Sequence, residues 1–401
     1  MCKRIFRWNF ALAALLLCAA AADRSHAAGP NILLILADDV GCETLGCYGG
    51  SSYETPQIDK LAADGLRFTH CFAMPVCHPT RVTLLSGKYP FRLNNPGWGS
   101  YPKDEEQNTI AHAMKEAGYA TAVAGKWQLT LLKRDPEHPH RMGFDQYSLF
   151  GWHEGARYHD PLIWQNGEIR DDTQGKYGPD LYVDFLIDFI RDNRERPWLA
   201  LYSMALWHEV TGDLKDELGL RENTVVIFTT DNGTAGRSKL RAIGNKNKFE
   251  YEKVVSKRGD ELLPGGKGSL TDLGTNVPLI IRWPAQIKRA DVTDTLVDMS
   301  DFFPTCVELA SKTPPAGLDG HGFAPLLTGE AFDEREFAYA QHRGKFWVRN
   351  QRFKLYDDGR LFDLVDDPRE KKPIPADKQS PAAAAARKAL SSAIDGLDVA
   401  K

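Results

Sequence analysis

The chain has 401 residues, 42% of them hydrophobic and 26% charged, with a formal net charge of −4. That is ordinary for a soluble globular protein, and the length suffices for a large core. It shows no global basic footprint of the kind that grips nucleic acid, so no nucleic-acid partner is expected.

The first segment reads as a cleaved export signal. Lys3, Arg4 and Arg7 precede an apolar stretch from Phe10 to Ala22, and Ser25-His26-Ala27 offers a small-residue cleavage site. The stretch is too short to span a membrane. Residues 1–27 are therefore expected to be a signal peptide, and the mature protein to be exported, periplasmic or secreted, without stable membrane insertion. Its removal leaves five cysteines, Cys42, Cys47, Cys71, Cys77 and Cys306, an odd number with at least one unpaired. Cys42 and Cys47 either pair or remain buried thiols.

After Ala28 the pattern alternates between strand and helix. Ile32 to Ala37 reads as a strand, and Thr55 to Asp64 as a helix with a Thr cap and Pro at its first position. A helix is expected to start at Arg81, soon after Cys77. Ile110 to Ala117 reads as a helix ending at Gly118, Tyr119 to Ala124 as a strand, Tyr182 to Arg191 as an amphipathic helix and Trp198 to Met204 as a strand. Thr224 to Thr230 and Val277 to Arg282 bring the count to at least five strands. The fold class is α/β, a mostly parallel central sheet with helices on both faces. That catalytic domain is expected over residues 28–336. Gly236 to Asp260 reads as a long basic loop, a solvated charge run rather than a polymer grip. Three short apolar runs around Trp347, Leu355 and Phe362 suggest an antiparallel subdomain over residues 337–375. The Ala-rich tail over residues 376–401 is a surface helix or a frayed end.

Two of the strands end in oxygen ligands. Ile32 to Ala37 stops at Asp38-Asp39, and Val225 to Thr230 stops at Asp231-Asn232. Apolar runs of this kind are parallel strands buried on both faces, and ligands bind at their carboxyl ends. Four oxygen donors without His or Cys favour Ca²⁺ or Mg²⁺ and disfavour Zn²⁺.

The same segments carry a family resemblance. Asn31 to Gly41, Cys77 to Arg92 with its Cys77-x-Pro79-x-Arg81, Gly125-Lys126-Trp127, Thr230-Asp231-Asn232-Gly233 and Gly265-Gly266-Lys267-Gly268 match the type I sulfatases in order. The chain thus resembles that family, within the alkaline phosphatase-like superfamily, from about Asn31 to Glu370. The resemblance implies a sulfuric ester hydrolase acting on a sulfated small molecule or glycan. It implies that a formylglycine-generating enzyme oxidises Cys77 to formylglycine. One hydroxyl of the aldehyde hydrate then attacks sulfur, and the second later expels sulfate. It implies that Asp38, Asp39, Asp231 and Asn232 hold the cation, and that Arg81, Lys126 and Lys267 neutralise the sulfate. It places His208 near the leaving group. The glycines around Lys267 are expected to let backbone approach the substrate.

Two departures stand out. The family commonly has His after Gly-Lys-Trp, where this chain has Gln128, which hydrogen-bonds but takes no proton near neutrality. The segment between Met204 and Thr224 is also short for a parallel crossover. Two alternatives therefore stay open beside the sulfatase: a phosphate or phosphonate ester hydrolase of the same superfamily, and a degenerate sulfatase-like protein that binds glycans.

Overall fold

A computed structural model describes residues 29–204, 219–242 and 249–399. The expected signal peptide, His208 and most of the short crossover lie outside the described residues.

Ten strands form the central sheet. In chain order they are β1 (Asn31–Ala37), β2 (Leu66–Phe72), β3 (Ala120–Lys126), β4 (Gln146–Phe150), β5 (Trp164–Gln165), β6 (Glu168–Ile169), β7 (Trp198–Ser203) and β8 (Thr224–Thr230). Two hairpins then intervene, β9 (Arg237–Ala242) with β10 (Phe249–Lys253) and β11 (Val255–Arg258) with β12 (Glu261–Pro264). β13 (Leu279–Arg282) and β14 (Asp291–Asp298) complete the sheet, in the order β14-β2-β13-β8-β1-β7-β3-β4-β5-β6.

The core strands are buried on both faces. Ile32, Leu34 and Leu36 pack into one apolar cluster while Leu33, Ile35 and Ala37 pack into another on the opposite face. The period of two makes one strand feed both cores. Each fully buried aliphatic side chain contributes roughly 1.5–3 kcal/mol. β1 runs parallel to both β7 and β8, so β7 and β8 are not neighbours.

The sequence misses β2, β4 and β14, whose runs are interrupted by polar residues such as Arg67, His70 and Asp294. The strand expected at Val277 is present as β13 but runs antiparallel to β2 and β8. After β8 the chain stays at the carboxyl end of the sheet through both hairpins, so it re-enters from that end. The same detour brings Lys267 to where β1 and β8 finish.

The long basic loop is instead largely the two hairpins, with Glu250 and Glu252 interleaved among the cations. The helix at Thr55 is present as Pro56–Ala63, but Thr55 does not cap it: its hydroxyl bonds Asp59 at 3.0 Å. The helix expected from Arg81 begins at Cys77 itself and runs to Ser86.

Downstream, β15 (Ala338–His342), β16 (Lys345–Arg349), β17 (Phe353–Tyr356) and β18 (Leu361–Asp363) form a separate antiparallel sheet of four strands in sequential order. The Ala-rich tail is a 17-residue helix, Pro381–Leu397, capped by the Ser380 hydroxyl. Its Ala383, Ala386, Leu390 and Leu397 share one face and pack with Trp347 and Leu355. All five described cysteines are free thiols, so Cys42 and Cys47 do not pair.

Candidate active site

The site forms where four adjacent strands end. The β1–β8 register pairs Ala37 with Thr230, so Asp38-Asp39 and Asp231-Asn232 leave the sheet side by side. β7 pairs Leu36 with Ser203, and β3 pairs Gly125 with Ser203, so Ser203 and Lys126 emerge next to them. Gly125 is needed there: its φ is +97°, and a Cβ would lie 2.0 Å from the Ser203 carbonyl oxygen.

The helix Cys77–Ser86 starts over these strand ends. Cys77 and Arg81 are four residues apart and therefore share its inner face. Oxygens of Asp38, Asp39 and Asp231 and the Cys77 Sγ all lie within 4.8 Å of one another. Asp39 itself sits at φ +61°, a left-handed conformation that Asp adopts more readily than most residues.

Three cations surround these three carboxylates. Arg81 Nη2 donates to Asp231 Oδ2 at 2.7 Å, and its Nη1 donates to Ser203 Oγ. Lys126 Nζ donates to Asp38 Oδ1 at 2.5 Å. Lys267 Nζ donates to Asp39 Oδ1 and lies 3.2 Å from Cys77 Sγ. The loop carrying Lys267 is packed onto the Asp231 loop, with the Lys267 amide donating to the Thr234 carbonyl at 2.9 Å. A Cβ on Gly266 would lie 2.2 Å from the Leu273 backbone. Gly266 is therefore needed for close packing against the short helix Asp272–Thr275.

The electrostatics follow from burial and these pairs. Burial pushes the Asp38 carboxyl up, but Lys126 and Arg81 outweigh it and hold it well below the usual carboxylate range. Burial, then Asp38, raises Asp231 to about 6 against the pull of Arg81. Burial, then Asp231, pushes the Cys77 thiol up to about 12. Burial disfavours the charge on Lys267, yet Cys77 and Asp39 hold it above its ordinary value.

Some polar atoms here have no partner. Asn232 Nδ2 donates to Asp39 Oδ1 at 2.8 Å, but Asn232 Oδ1 is buried without a hydrogen bond. Arg81 Nε and Gln128 Oε1 are orphaned in the same way. Buried polar groups are normally satisfied, so the Asn232 and Arg81 orphans beside the carboxylates point to an absent ligand. Three carboxylates and an unused amide oxygen fit a hard divalent cation. Gln128 is 4% exposed, with φ +65°.

Several supporting residues escape a sequence reading. Ser203 ties Arg81 to the Lys126 carbonyl, to which its Oγ donates at 2.7 Å. Its signal was available, since it ends an apolar run as the aspartates do. Thr234 donates to the buried Glu43 at 2.5 Å and accepts from the Gly41 amide at 2.9 Å, bracing the loops after β1 and β8. His78 Nε2 bonds the Ser100 carbonyl at 2.8 Å, which seats the loop around Trp98 beside the Cys77 helix.

The comparisons with known proteins agree with this geometry. The Sulfatase family profile matches residues 30–209 and 201–312, and the profile of the N-sulphoglucosamine sulphohydrolase C-terminal region matches residues 267–396. Human arylsulfatase A is 31% identical over 418 residues, covering 85% of this chain and 77% of that protein. Human N-acetylgalactosamine-6-sulfatase is 28% identical, covering 82% and 74%. Among solved structures, the PsFucS1 sulfatase from Pseudoalteromonas sp. superposes with a TM-score of 0.72 at 21% identity, covering 98% of this chain and 95% of that one. A protein solved with its substrate D-glucosamine-2-N,6-O-disulfate superposes with a TM-score of 0.72 at 19% identity, covering 93% and 99%. The chain belongs to the sulfatase family and is a sulfuric ester hydrolase.

Proposed function

We propose that this protein cleaves a sulfate ester of a carbohydrate, using a formylglycine derived from Cys77 and one Ca²⁺ held by Asp38, Asp39, Asp231 and Asn232. The observation that carries the proposal is the β1–β8 register, which sets three carboxylates within 4.8 Å of Cys77 Sγ. The bound cation supplies positive charge that makes a hydroxyl of the hydrated aldehyde nucleophilic near neutral pH.

The chain's own residues do the rest. Arg81, Lys126 and Lys267 would receive the sulfate oxygens, since a cation held by Asp38, Asp39 and Asp231 would leave their N–H groups available to the ester. Three carboxylates against three cations leave the site near neutrality. A divalent cation then makes it net positive, which suits a sulfate monoester anion. Burial of Lys126 and Arg81 strengthens each contact, because water screens little there. His208 is assigned to the leaving group, and Gln128 to the Cys77-derived group as a hydrogen-bonding partner. The carbohydrate assignment draws on the sugar-sulfate names of the human relative and of the substrate complex.

Export supplies the maturation route, with the formylglycine-generating enzyme as a transient partner. No helix among the described residues is long and apolar enough to cross a membrane.

The test is a peptide mass for the segment holding Cys77, with 4-nitrophenyl sulfate turnover measured before and after chelation. Protein made with the maturation enzyme should show sulfur replaced by oxygen with loss of two hydrogens. Its turnover should vanish on chelation and return with Ca²⁺. An unmodified thiol in fully active protein would overturn the proposal.

A further inference from the structure

Beside the strand ends lies a group of side chains that the hydrolysis of a sulfate ester does not use. Lys126 Nζ, already bonded to Asp38, sits 4.7 Å from the centroid of the Trp152 ring. The Arg157 guanidinium stacks on that same ring at 4.4 Å and also covers Tyr158 at 5.5 Å. Trp98 meets Trp152 edge-on at 6.3 Å and His153 at 5.6 Å. One aromatic system therefore runs without a break from a sulfate-facing lysine to an exposed indole.

Two features say what this rim receives. Trp98 is 50% exposed, which is unusual for the most costly side chain to leave in water. It is held there deliberately: the buried His78 grips the Ser100 carbonyl two residues on, which fixes the loop to the Cys77 helix. Exposed, anchored indoles offer a flat apolar face with no demand on hydrogen bonding, the surface on which the C–H face of a sugar ring rests. Arg157 is the second feature. It is half-buried by aromatic faces, and among the described residues no carboxylate lies within ion-pair distance of it. Stacking satisfies the guanidinium face, and no hydrogen bond to a described residue occupies its N–H edges, which suit a planar or tetrahedral anion.

We propose that Trp98, Trp152 and Arg157 form a saccharide subsite, in which the sulfated sugar lies on Trp98 and a second anionic group of that sugar binds Arg157. The inference rests on the sulfatase chemistry proposed above and deepens it by naming the substrate class: a sugar sulfate carrying a further sulfate or carboxylate. A single sugar ring joins the two ends. The ester sulfate meets Lys126, and the second anion meets Arg157 beside the same Trp152 ring.

The test compares three probes on the matured, Ca²⁺-loaded full chain. D-glucosamine-2-N,6-O-disulfate carries two anions, N-acetylglucosamine-6-sulfate carries one on the same ring, and 4-nitrophenyl sulfate carries one and no sugar. The parent should favour the disulfate over the monosulfate by about tenfold to a hundredfold in kcat/KM, the range set by one charged hydrogen-bonded contact. Raising the salt should shrink that ratio. Arg157→Ala should bring the two sugars to parity and leave 4-nitrophenyl sulfate within about twofold, while Arg157→Lys should restore part of the preference. Trp98→Ala should raise KM for both sugars with kcat little changed. An unchanged sugar ratio in Arg157→Ala overturns the proposal. So does a parent that cleaves 4-nitrophenyl sulfate but neither sugar, which leaves the sulfatase chemistry standing. A parent that cleaves none of the three overturns both.

Discussion

Two buried charge clusters in this protein look alike in composition and differ in satisfaction. At the joint between the central sheet and the C-terminal sheet, Lys354 Nζ uses all three protons, on the Leu270 carbonyl at 2.8 Å, Asp272 at 3.0 Å and Glu370 at 2.9 Å. Arg349 likewise bonds Asp272 at 2.7 Å and the carbonyls of Asn350 and Gln351 at 2.9 Å. None of these four residues has an orphaned side-chain atom. The strand-end cluster has six charges against those four, yet Asn232 Oδ1 and Arg81 Nε are orphaned within it. A closed network fixes one geometry. An open one keeps unspent hydrogen bonds for what binds there. The first cluster locks two layers together, and the second is built to exchange partners.

The comparison breaks most sharply at Asp231. Asp231→Asn keeps an acceptor for Arg81 and removes one cation ligand. Bound metal should disappear and kcat/KM should fall by more than about 10³-fold, since the charge that activates the nucleophile goes with it. The metal-free protein should melt no lower than the metal-free parent, because burial and Asp38 already oppose the Asp231 charge. Full metal content in the variant, measured by plasma emission, would place the cation elsewhere.

Gln128 sharpens the same contrast from the side of turnover. A positioned base is worth roughly 10² to 10⁴ in rate, and Gln offers only a hydrogen bond. The parent should therefore release a burst of one product equivalent per site and then turn over slowly. Gln128→His should speed the slow phase and leave the burst nearly unchanged. The substitution suits the backbone, because His is enriched at positive φ and the site holds φ +65°. Equal steady-state rates in stopped-flow and steady-state assays would show that another residue already acts as base.

The closed cluster should respond in stability instead. Lys354 is fully buried, and Lys354→Met leaves Glu370 without its cation and Asp272 with Arg349 alone. Removing one partner of a buried pair costs about 3–5 kcal/mol. Urea unfolding should show a loss of that size, while Ca²⁺ content and 4-nitrophenyl sulfate turnover of the folded protein stay close to the parent's. Loss of metal without loss of stability would mean that the two clusters are not separate in function.

Much of the candidate site could be read in the chain because it follows strand grammar. The apolar runs ending at Asp38-Asp39 and Asp231-Asn232 carry their candidate ligands in sequence, and only the register remained to join them. Lys126 was legible only through the resemblance carried by Gly125-Lys126-Trp127. What was not legible came from loops and from polar strands. β2 and β14 alternate or break their apolar pattern because one face meets polar neighbours, so periodicity understates them. The hairpins over Gly236 to Asp260 looked like a loop because their side chains are mostly charged. Trp98, Trp152 and Arg157 meet through three-dimensional packing alone, and no spacing in the chain links Trp98 with a residue 54 or more positions on.

The smallest expected effect lies just behind the site, at His138, and it follows pH. His138 is 3% exposed, and its Nδ1 accepts the Trp127 indole N–H at 3.1 Å. Trp127 stands between Lys126 and Gln128, so this bond supports the loop that carries both. Burial pushes the His138 pKa down to about 4; Glu106, 3.7 Å from Nε2, and Asp135 pull it up, and Arg141 adds to the depression. The native state therefore binds fewer protons than the unfolded state between about 4 and the ordinary value of 6.5. Its contribution is fully present above 6.5 and is lost as the pH falls through that window, by about 3 kcal/mol in all. His138→Gln keeps an acceptor for Trp127 and cannot titrate. Other histidines, among them the half-buried His70 and the buried His78, are also depressed, so the parent's acid limb alone does not isolate this one. The difference between parent and variant does. Urea unfolding at half-unit steps from pH 4.5 to 7.5 should show the parent losing stability relative to His138→Gln as the pH drops. A difference that stays flat across that range would mean that His138 does not couple protonation to the loop.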